Sequence, residues 1–448
     1  MAPPRSIQGL AFTLAEDLVT ALAVLIPYVA RVMTMWRGAI SREKAVWGVT
    51  PILNMHFNAR CNTLLGVESD CIVFRTYYIW RDFSINKERH SDWIIQHYPR
   101  FYRLWLTCVL YGALLRYDHF HYFLDRGILL PEPRRKYGIN KRELELLRRS
   151  GKRLFTYTYG ADVRTRTETE ALGRFHVCQG CSEPGVHCIC DSEKARENVD
   201  AVRPFATAML GMGDMLEYVP GALNAFFWPL DLEVIPYVGS RQDFSRPLRV
   251  GHGANHPQLK GTHYLVEAID RLAAEGYAIT LVRLQGVPRD QIQAMFSSVD
   301  VIADQFIAGF HGYTALEGLA HGKPVLVYLR HTHTQLAPEE CPFLNADPET
   351  LYETLRTMCE SRNRLEQTGW LGREYVEKYY SLEAFAQRLG RIYLDTRTFT
   401  GRRARKLERT MGELAARNER RLMAFYSQHA RPDATAGAQE AMVSGAPT

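Results

Sequence analysis

Short apolar runs alternate with helix-like segments along most of the chain, and they do so in two series. The runs of the two series lie at 46–54, 71–80, 118–124 and 153–160, and at 248–253, 277–284, 299–304 and 324–329. Continuous apolar runs with helices between them are typical of parallel strands that are covered on both faces. The polar stretch at 235–247 has proline near both ends and is predicted to be a linker. The pattern therefore predicts an α/β protein with two doubly wound, Rossmann-like domains.

The two ends of the chain depart from this alternation. The apolar run "LVTALAVLIPYVA" at 18–30 is interrupted by Pro27 and is too short to cross a bilayer comfortably. It follows Glu16 and Asp17, where a secretory signal would carry positive charge. We interpret it as a core helix, with a helix in the membrane interface as the alternative. Near the other end, 401–421 is charged and prone to helix, and the last twenty residues are predicted to be disordered.

The predicted organisation has four parts. These are an N-terminal helical extension at 1–44, a first Rossmann-like domain at 45–238 with a cysteine-rich loop at 176–191, a second Rossmann-like domain at 246–395, and a charged helical segment with a disordered tail at 396–448.

The composition narrows the classes of partner. Of the 448 residues, 46% are hydrophobic and 23% are charged, and the formal net charge is +6. This is the composition of a folded soluble protein. A mild positive charge suits anionic ligands or a membrane surface, but it falls short of a dedicated nucleic-acid binder. We therefore expect a cytoplasmic protein without a nucleic-acid partner, and we leave open a peripheral contact with the inner membrane face.

The stretch "FHGYTALEGLAHGKPVLVYL" at 310–329 carries the first sign of a binding site. It places a short helix, starting near Gly312, between two predicted parallel strands. Such a helix begins at the carboxyl end of the sheet, where doubly wound folds bind ligands. The first-turn N–H groups of Gly312, Tyr313 and Thr314, together with the helix dipole, favour a phosphate. Glu317 lies one turn further on, where its carboxylate can accept hydrogen bonds from ribose hydroxyls.

A second phosphate-binding element is predicted in the same domain. The segment "GHGANHPQLKGTHYL" at 251–265 follows the first strand of the second series. It offers Lys260 beside Gly261 at another helix start. The two segments together predict a nucleotide site.

These two segments resemble a known family. "NHPQLKGT", followed by "ADQFIAGFHGYTALEGLAHGKPV", is similar to the donor domain of retaining glycosyltransferases with the GT-B fold, of the glycosyltransferase 4 type. The likeness covers about 246–395 and is weaker in "VWGVTPILNMHFNAR" and "FTYTYGADVR" of the first domain. It implies that Glu317 binds the nucleotide ribose, that Lys260 binds the diphosphate, and that the 312–314 amides bind the leaving phosphate. It also implies transfer without a cofactor.

The resemblance implies two GT-B domains that face each other across a cleft, with the acceptor on the first domain. The function it implies is transfer of a sugar from a nucleotide sugar to a glycan or a lipid-linked acceptor, in surface polysaccharide or glycoconjugate synthesis. The donor-binding residues are then expected to be Gly253, Asn255, His256, Lys260, Gly261, Gln305, Gly309, His311, Gly312, Tyr313, Thr314 and Glu317.

Two departures from the family pattern affect catalysis. Gly309 stands where many relatives have an acid that contacts the transferred sugar, and Tyr159 stands where relatives often have a histidine. The expected catalytic residues are Lys260, Glu317, His121 and Asp162. The alternatives are an inactive GT-B protein that binds a nucleotide sugar or a glycan, and a nucleotide-sugar epimerase on the same fold.

Four of the nine cysteines are concentrated in one short segment, "HVCQGCSEPGVHCICD" at 176–191. They are Cys178, Cys181, Cys188 and Cys190. The first pair has the Cys-x2-Cys spacing of zinc sites, while the second pair is closer than zinc usually requires. We predict a structural zinc site, with an iron–sulfur cluster or unligated thiols as alternatives.

The segment "RRKYGINKRELELLRRSGKR" at 134–153 is strongly basic. A solvated helix face is the preferred interpretation. Attraction to anionic lipid or to a phosphate-bearing acceptor is the alternative.

Overall fold

The computed structural model describes residues 7–77, 80–240, 244–284 and 289–432. The α-helices in the described part of the chain are α1 (Ile7–Ala39), α2 (Leu53–Leu64), α3 (Glu88–His97), α4 (Tyr102–Arg116), α5 (Lys141–Arg149), α6 (Arg166–Ala171), α7 (Ser192–Val202), α8 (Pro257–Lys260), α9 (Thr262–Ala274), α10 (Arg289–Ser297), α11 (Tyr313–Ala320), α12 (Leu351–Glu360), α13 (Leu365–Tyr379), α14 (Leu382–Asp395) and α15 (Gly401–Gln428).

The strands form two sheets in which every pairing is parallel. They are β1 (Lys44–Val49), β2 (Glu68–Val73), β3 (Ile85–Asn86), β4 (His119–Phe123), β5 (Arg153–Tyr157), β6 (Ala208–Gly211), β7 (Leu223–Asn224), β8 (Leu248–His252), β9 (Ile279–Arg283), β10 (Val301–Ala303), β11 (Val325–Val327) and β12 (Leu344–Asn345). The first sheet has the order β3-β2-β1-β4-β5-β6-β7, and the second has the order β12-β11-β10-β8-β9. Two doubly wound domains with helical extensions confirm the predicted GT-B fold class.

The predicted strands are present, although most are shorter than the apolar runs that indicated them. The run at 71–80 contributes only β2, which ends at Val73. The aromatic segment at 92–115 is divided between α3 and α4 at Pro99. Proline lacks the N–H that a helix needs, and it disfavours the helical conformation at Tyr98, where ψ is 58°.

Helix α14 returns from the second domain to the first. Leu382, Phe385, Leu389 and Tyr393 belong to the hydrophobic core that also holds Trp47 of β1. The predicted second domain extended to residue 395, but this last helix packs on α2 of the first domain. The two domains therefore share a helix as well as a linker.

Helix α1 is longer and more exposed than predicted. The segment Phe12–Ala39 is long and apolar enough to cross a membrane, and only 17% of its most apolar window is buried. The interpretation of 18–30 as a core helix is therefore wrong. Pro27 does not end the helix. One face packs on α4 and α5, and the Arg37 guanidinium pairs with the Asp118 carboxylate 2.6 Å away.

The charged segment after residue 396 is helical, as predicted, and it is docked on the protein. Helix α15 packs on α13 and α14. The Arg421 guanidinium forms ion pairs with the buried Glu377 and Glu383 carboxylates. Most of the tail that is predicted to be disordered, 433–448, lies outside the described residues.

Candidate functional site

The segments predicted to bind a nucleotide meet at the carboxyl edge of the second sheet. Strand β8 leads into Gly253, and β10 leads through a loop into α11. A Cβ atom on Gly253 would lie 3.4 Å from the Thr314 side chain in the first turn of α11. Glycine at 253 therefore lets the β8 loop lie directly against the start of α11.

Lys260 is held at this edge by two oxygen atoms. Its ammonium group donates hydrogen bonds to Asp304 Oδ1 at 2.7 Å and to the Gly253 carbonyl at 3.1 Å. Asp304 follows β10 and its side chain is fully buried, whereas the Lys260 side chain is 20% exposed. The sequence interpretation did not include Asp304. The signal that could have identified Asp304 is its position directly after a buried strand, at the carboxyl edge of the sheet.

The start of α11 has the predicted geometry, but its first N–H group has a partner within the protein. Gly312 is the N-cap with extended backbone, and its N–H donates to Asp304 Oδ2. An α-helix leaves its first-turn N–H groups without acceptors inside the helix. Asp304 thus places a carboxylate at the positive end of the dipole, where the phosphate is expected.

Glu317 lies one turn into α11, and it is partly buried. Its neighbour Gly318 faces the sheet, where a Cβ atom would be 2.9 Å from the Ile302 side chain. Glycine at 318 therefore lets α11 pack closely on the sheet.

The Arg330 guanidinium lies beside Gly309, the position where the family resemblance implies an acid. Gly309 has φ of +85°, and a Cβ atom there would lie 2.8 Å from the Arg330 guanidinium carbon. The Arg330 side chain is only 6% exposed, and its Nη1 lies 3.6 Å from a Glu217 carboxylate oxygen of the first domain. Arg330 was not predicted. It follows β11 at the same sheet edge, so it adds positive charge beside the donor-side loop.

Two histidines of the second domain lie in the core instead of facing a ligand. His311, a predicted donor-binding residue, is buried and stacks on Phe310 and Phe343. Burial lowers its pKa to about 4, so the ring is neutral. His252 is held by the Ala303 carbonyl and the Thr262 hydroxyl. The structure thus encloses the His311 side chain among aromatic rings, and its place in the donor site stays a prediction.

The remaining predicted donor residues line the same loops. Asn255 and His256 are exposed, and the His256 ring lies 4.8 Å from the His187 ring of the first domain. Gly261 has φ of +73° and links α8 to α9. The Gln305 side-chain amide donates to the Phe310 carbonyl.

His121, predicted as a catalytic residue, is part of the core of the first domain. Its ring stacks 4.0 Å from Trp47 and 4.9 Å from Phe155. Its two nitrogens meet the hydroxyls of Tyr157 at 2.7 Å and Tyr393 at 2.9 Å. Burial holds its pKa well below the ordinary value. The structure thus places His121 in the core with partners for both ring nitrogens, and not at the cleft where the sequence placed it.

Two carboxylates stand instead at the carboxyl edge of the first sheet. Asp125, after β4, accepts hydrogen bonds from the Thr50 hydroxyl at 2.7 and 2.9 Å. Asp162, predicted as catalytic, accepts from the Tyr159 and Gly160 amides at 3.1 and 3.0 Å. Its other oxygen is buried without a hydrogen-bond partner. Asp125 was missed, although its place directly after a strand was visible in the sequence.

The proximity of these two acids predicts an unusual pH dependence of stability. An ordinary aspartate ionises near pH 3.8, but burial and then the nearby Asp125 raise the pKa of Asp162 to about 7. Between these values the unfolded chain has released a proton that the folded protein keeps. The contribution of Asp162 to the free energy of unfolding is therefore present at low pH and is lost as the pH rises from about 3.8 to about 7.

We expect Asp162→Asn to remove this dependence, because asparagine does not ionise. Relative to the wild type, the melting temperature of the variant should rise by roughly 2–5 °C between pH 5 and pH 8. Differential scanning fluorimetry at both pH values measures it. Glu143, whose burial also raises its pKa to about 7, is unchanged in both proteins. Asp200→Asn, which changes an exposed acid, is the control. Equal pH slopes for Asp162→Asn and the wild type would contradict the expectation.

The cysteine-rich loop packs against the donor domain. Gly180 lies so close to the backbone of Gln258 in α8 that a Cβ atom would come within 1.8 Å of the carbonyl oxygen. Cys188 and Cys190 have their sulfur atoms 3.5 Å apart. Among the described residues, no group of three or more metal-binding side chains is arranged to hold a metal ion. The geometry thus does not support the predicted zinc site, which stays a prediction.

Comparison with known proteins gives likenesses of fold only. No protein-family model matches the sequence, and no curated protein matches it significantly. A structure of Anabaena HepE with UDP and glucose is similar at 11% identity and a TM-score of 0.48, covering 79% of this chain and 100% of that one. Sucrose-phosphate synthase from Thermosynechococcus elongatus is similar at 13% identity and 0.49, covering 80% and 100%. Identities this low say nothing about function.

Proposed function

We propose that the protein is a glycosyltransferase that moves a sugar from a nucleotide sugar to a hydroxyl-bearing acceptor. The observation that carries the proposal is the start of α11 at the carboxyl edge of the second sheet, with Lys260 beside it and Glu317 one turn in. A helix N-terminus and a lysine suit a diphosphate, and a partly buried carboxylate suits the ribose hydroxyls.

The chemistry follows from charge. As the bond between sugar and diphosphate breaks, negative charge accumulates on the leaving phosphate. Lys260 and the α11 amides are placed to stabilise that charge, which is the electrostatic role that usually contributes most to catalysis. Arg330 adds a second, buried cation beside Gly309. Retention of the anomeric configuration is part of the proposal and rests on the family resemblance.

Asp304 must give up its hydrogen bonds with Lys260 and the Gly312 N–H before a nucleotide sugar can bind there. It holds both Lys260 and the Gly312 N–H. A diphosphate oxygen competes for the same two donors, so we propose that Asp304 occupies the phosphate position before the nucleotide arrives. Binding then replaces Asp304 by a diphosphate oxygen on Lys260, and separating the buried Asp304 carboxylate from its cation is a cost of that exchange.

The first domain supplies the acceptor side. Asp125 and Asp162 lie at the carboxyl ends of adjacent strands, joined through Tyr159, whose hydroxyl is 3.5 Å from Asp125 and whose amide donates to Asp162. A carboxylate there can accept the proton of an attacking hydroxyl. We propose a glycan or a lipid-linked sugar as the acceptor, and a cytoplasmic location at the inner membrane face.

The test is a transfer assay. The full chain is incubated with a panel of nucleotide sugars and with glycan or lipid-linked acceptors, and released nucleoside diphosphate and glycosylated product are measured. The proposal predicts acceptor-dependent release with at least one donor, reduced about 100-fold or more in Glu317→Ala. Epimerised donor formed without acceptor would overturn it.

Binding without turnover is the second candidate, and a specific observation favours it. His121 is enclosed in the core and does not reach the cleft, and Gly309 stands where the family resemblance implies an acid. A protein of this kind would bind the nucleotide sugar at Glu317 and Lys260 and release neither product nor nucleoside diphosphate in the same assay.

A further inference from the structure

One face of α1 is mainly apolar, with the polar residues Asp17 exposed on it and Thr20 exposed at its edge. Leu14, Leu18, Leu25 and Val32 recur at helical spacing, and each side chain is between 57 and 65% exposed. At 3.6 residues per turn these positions fall on one line along the helix. The same face also carries Val24, Tyr28, Val29, Met35 and Trp36. Soluble monomers rarely expose a contiguous apolar stripe of this length.

The opposite face attaches α1 to the first domain along its length. Near the start, the Phe12 ring lies 5.2 Å from Phe101. In the middle, Val19 is buried. Near the end, two Arg37 nitrogens donate to the buried Asp118 carboxylate at 2.6 and 2.7 Å. A helix held in this way cannot cross a bilayer without separating from the domain, although its length and composition would allow it.

Aromatic side chains extend the surface beyond the start of α1. The Tyr98 ring lies 6.3 Å from Phe101, which contacts α1, and the Trp93 ring lies 5.4 Å from Tyr98. Trp93 and Tyr98 are both exposed. Tryptophan and tyrosine are the side chains that favour the level of the lipid headgroups.

The charges beside this surface are mainly positive. Arg31 lies next to Gly151, directly beyond the exposed basic end of α5, and further exposed arginines precede and begin α4. The exposed cations along these edges are Arg31, Arg100, Arg103, Lys141, Arg142, Arg148 and Arg149, and the exposed acids are Glu16, Asp17 and Asp92; the Glu145 carboxylate pairs with Arg148. Arginines beside an apolar surface complement anionic lipid headgroups.

We propose that α1, together with Trp93 and Tyr98, lies flat in the surface of an anionic lipid bilayer and attaches the protein to it. The apolar stripe enters the boundary between headgroups and acyl chains, and the arginines contact the headgroups. The chain is then bound to one leaflet and does not span the membrane. This inference deepens the proposed location at the inner membrane face, and its evidence is the α1 surface, so vesicle binding tests it separately from sugar transfer.

The test is co-sedimentation of the full chain with vesicles. One set contains phosphatidylglycerol and phosphatidylcholine in equal parts, and the other contains phosphatidylcholine alone. We expect the wild type to bind the anionic vesicles. The Leu18→Glu/Leu25→Glu variant should bind them at least about tenfold more weakly than the wild type, because each change puts a charge on the apolar stripe. Met423→Glu changes an equally exposed apolar residue on α15 and should bind like the wild type.

Three outcomes would overturn the proposal. One is the absence of binding to either kind of vesicle. Another is a dimer in solution that Leu18→Glu/Leu25→Glu dissociates, which would assign the surface to a second copy of the chain. The third is resistance of the bound protein to alkaline carbonate extraction, which would mean that α1 spans the bilayer. Circular dichroism of the variants confirms that they remain folded.

Discussion

The Lys260→Ala variant is expected to lose nearly all of the thermal stabilisation that a nucleoside diphosphate gives the wild-type protein. Removing the ammonium group leaves the buried Asp304 carboxylate without its cation and facing the incoming diphosphate. We expect the dissociation constant to rise about 100-fold, which corresponds to about 2.7 kcal/mol. Thermal shift as a function of nucleotide concentration measures it, since ligand binding raises the stability of the folded state by mass action.

Two further variants separate charge repulsion from a general loss of structure. Lys260→Ala/Asp304→Asn removes the repelling carboxylate as well, and it should recover part of the affinity. Lys406→Ala removes an exposed lysine on α15 and should leave the thermal shift unchanged. A Lys260→Ala protein that binds nucleotide like the wild type would show that this edge of the sheet is not the phosphate site.

The Asp118→Ala variant is expected to lose about 3–5 kcal/mol of stability in the first domain. Asp118 is buried, and it accepts hydrogen bonds from Arg37, from the Thr34 hydroxyl at 2.8 Å and from the Lys44 amide at 3.0 Å. Lys152 lies 3.7 Å away with its side chain fully buried. Alanine leaves two buried cations without their shared anion. Urea unfolding, monitored by the fluorescence of the tryptophans, measures the loss.

The same carboxylate predicts the sign of a pH effect. Burial opposes its ionisation, but the Arg37 hydrogen bonds, Lys152 and the Thr34 hydroxyl outweigh burial and lower the pKa of Asp118. Its contribution to stability is therefore present above the ordinary carboxyl pKa and is lost as the pH falls through the lowered value. Asp200→Ala changes an exposed acid and is expected to cost almost nothing. An Asp118→Ala protein as stable as Asp200→Ala would contradict this account of how α1 is attached.

The sequence was sufficient for the parts of the fold that depend on local pattern. Buried parallel strands have continuous apolar runs, so β1, β4, β8 and β10 were recognisable, and a helix that starts after β10 must begin at the carboxyl edge of the sheet. For the same reason, the positions of Lys260 and Glu317 could be predicted together. These inferences needed only neighbours along the chain.

The parts that failed depend on contacts between distant segments. His121 is satisfied by Tyr393, which lies 272 positions away. Its place in the core could not be inferred from its own strand, where a buried histidine and a cleft histidine have the same neighbours in sequence. The position of Arg330 likewise could not be predicted, because it depends on the left-handed Gly309 and on Glu217 in the other domain.

The prediction that α1 is a core helix was wrong for a different reason. Its apolar residues surround much of the helix, so the sequence indicated burial. The structure buries one face only, because the domain offers a single groove along α4 and α5. Which apolar residues a protein buries is decided by the area available to cover them, and that area is not a local property of the sequence.

The most direct measurement is a crystal structure of the full chain with a nucleoside diphosphate bound. The account predicts phosphate oxygens about 3 Å from Lys260 Nζ and from the first-turn amides of α11, with Asp304 moved off the Gly312 N–H and the ribose hydroxyls on Glu317. A nucleotide bound elsewhere on the molecule would contradict it. So would a saturated crystal in which the Asp304 carboxylate still holds both Lys260 and Gly312.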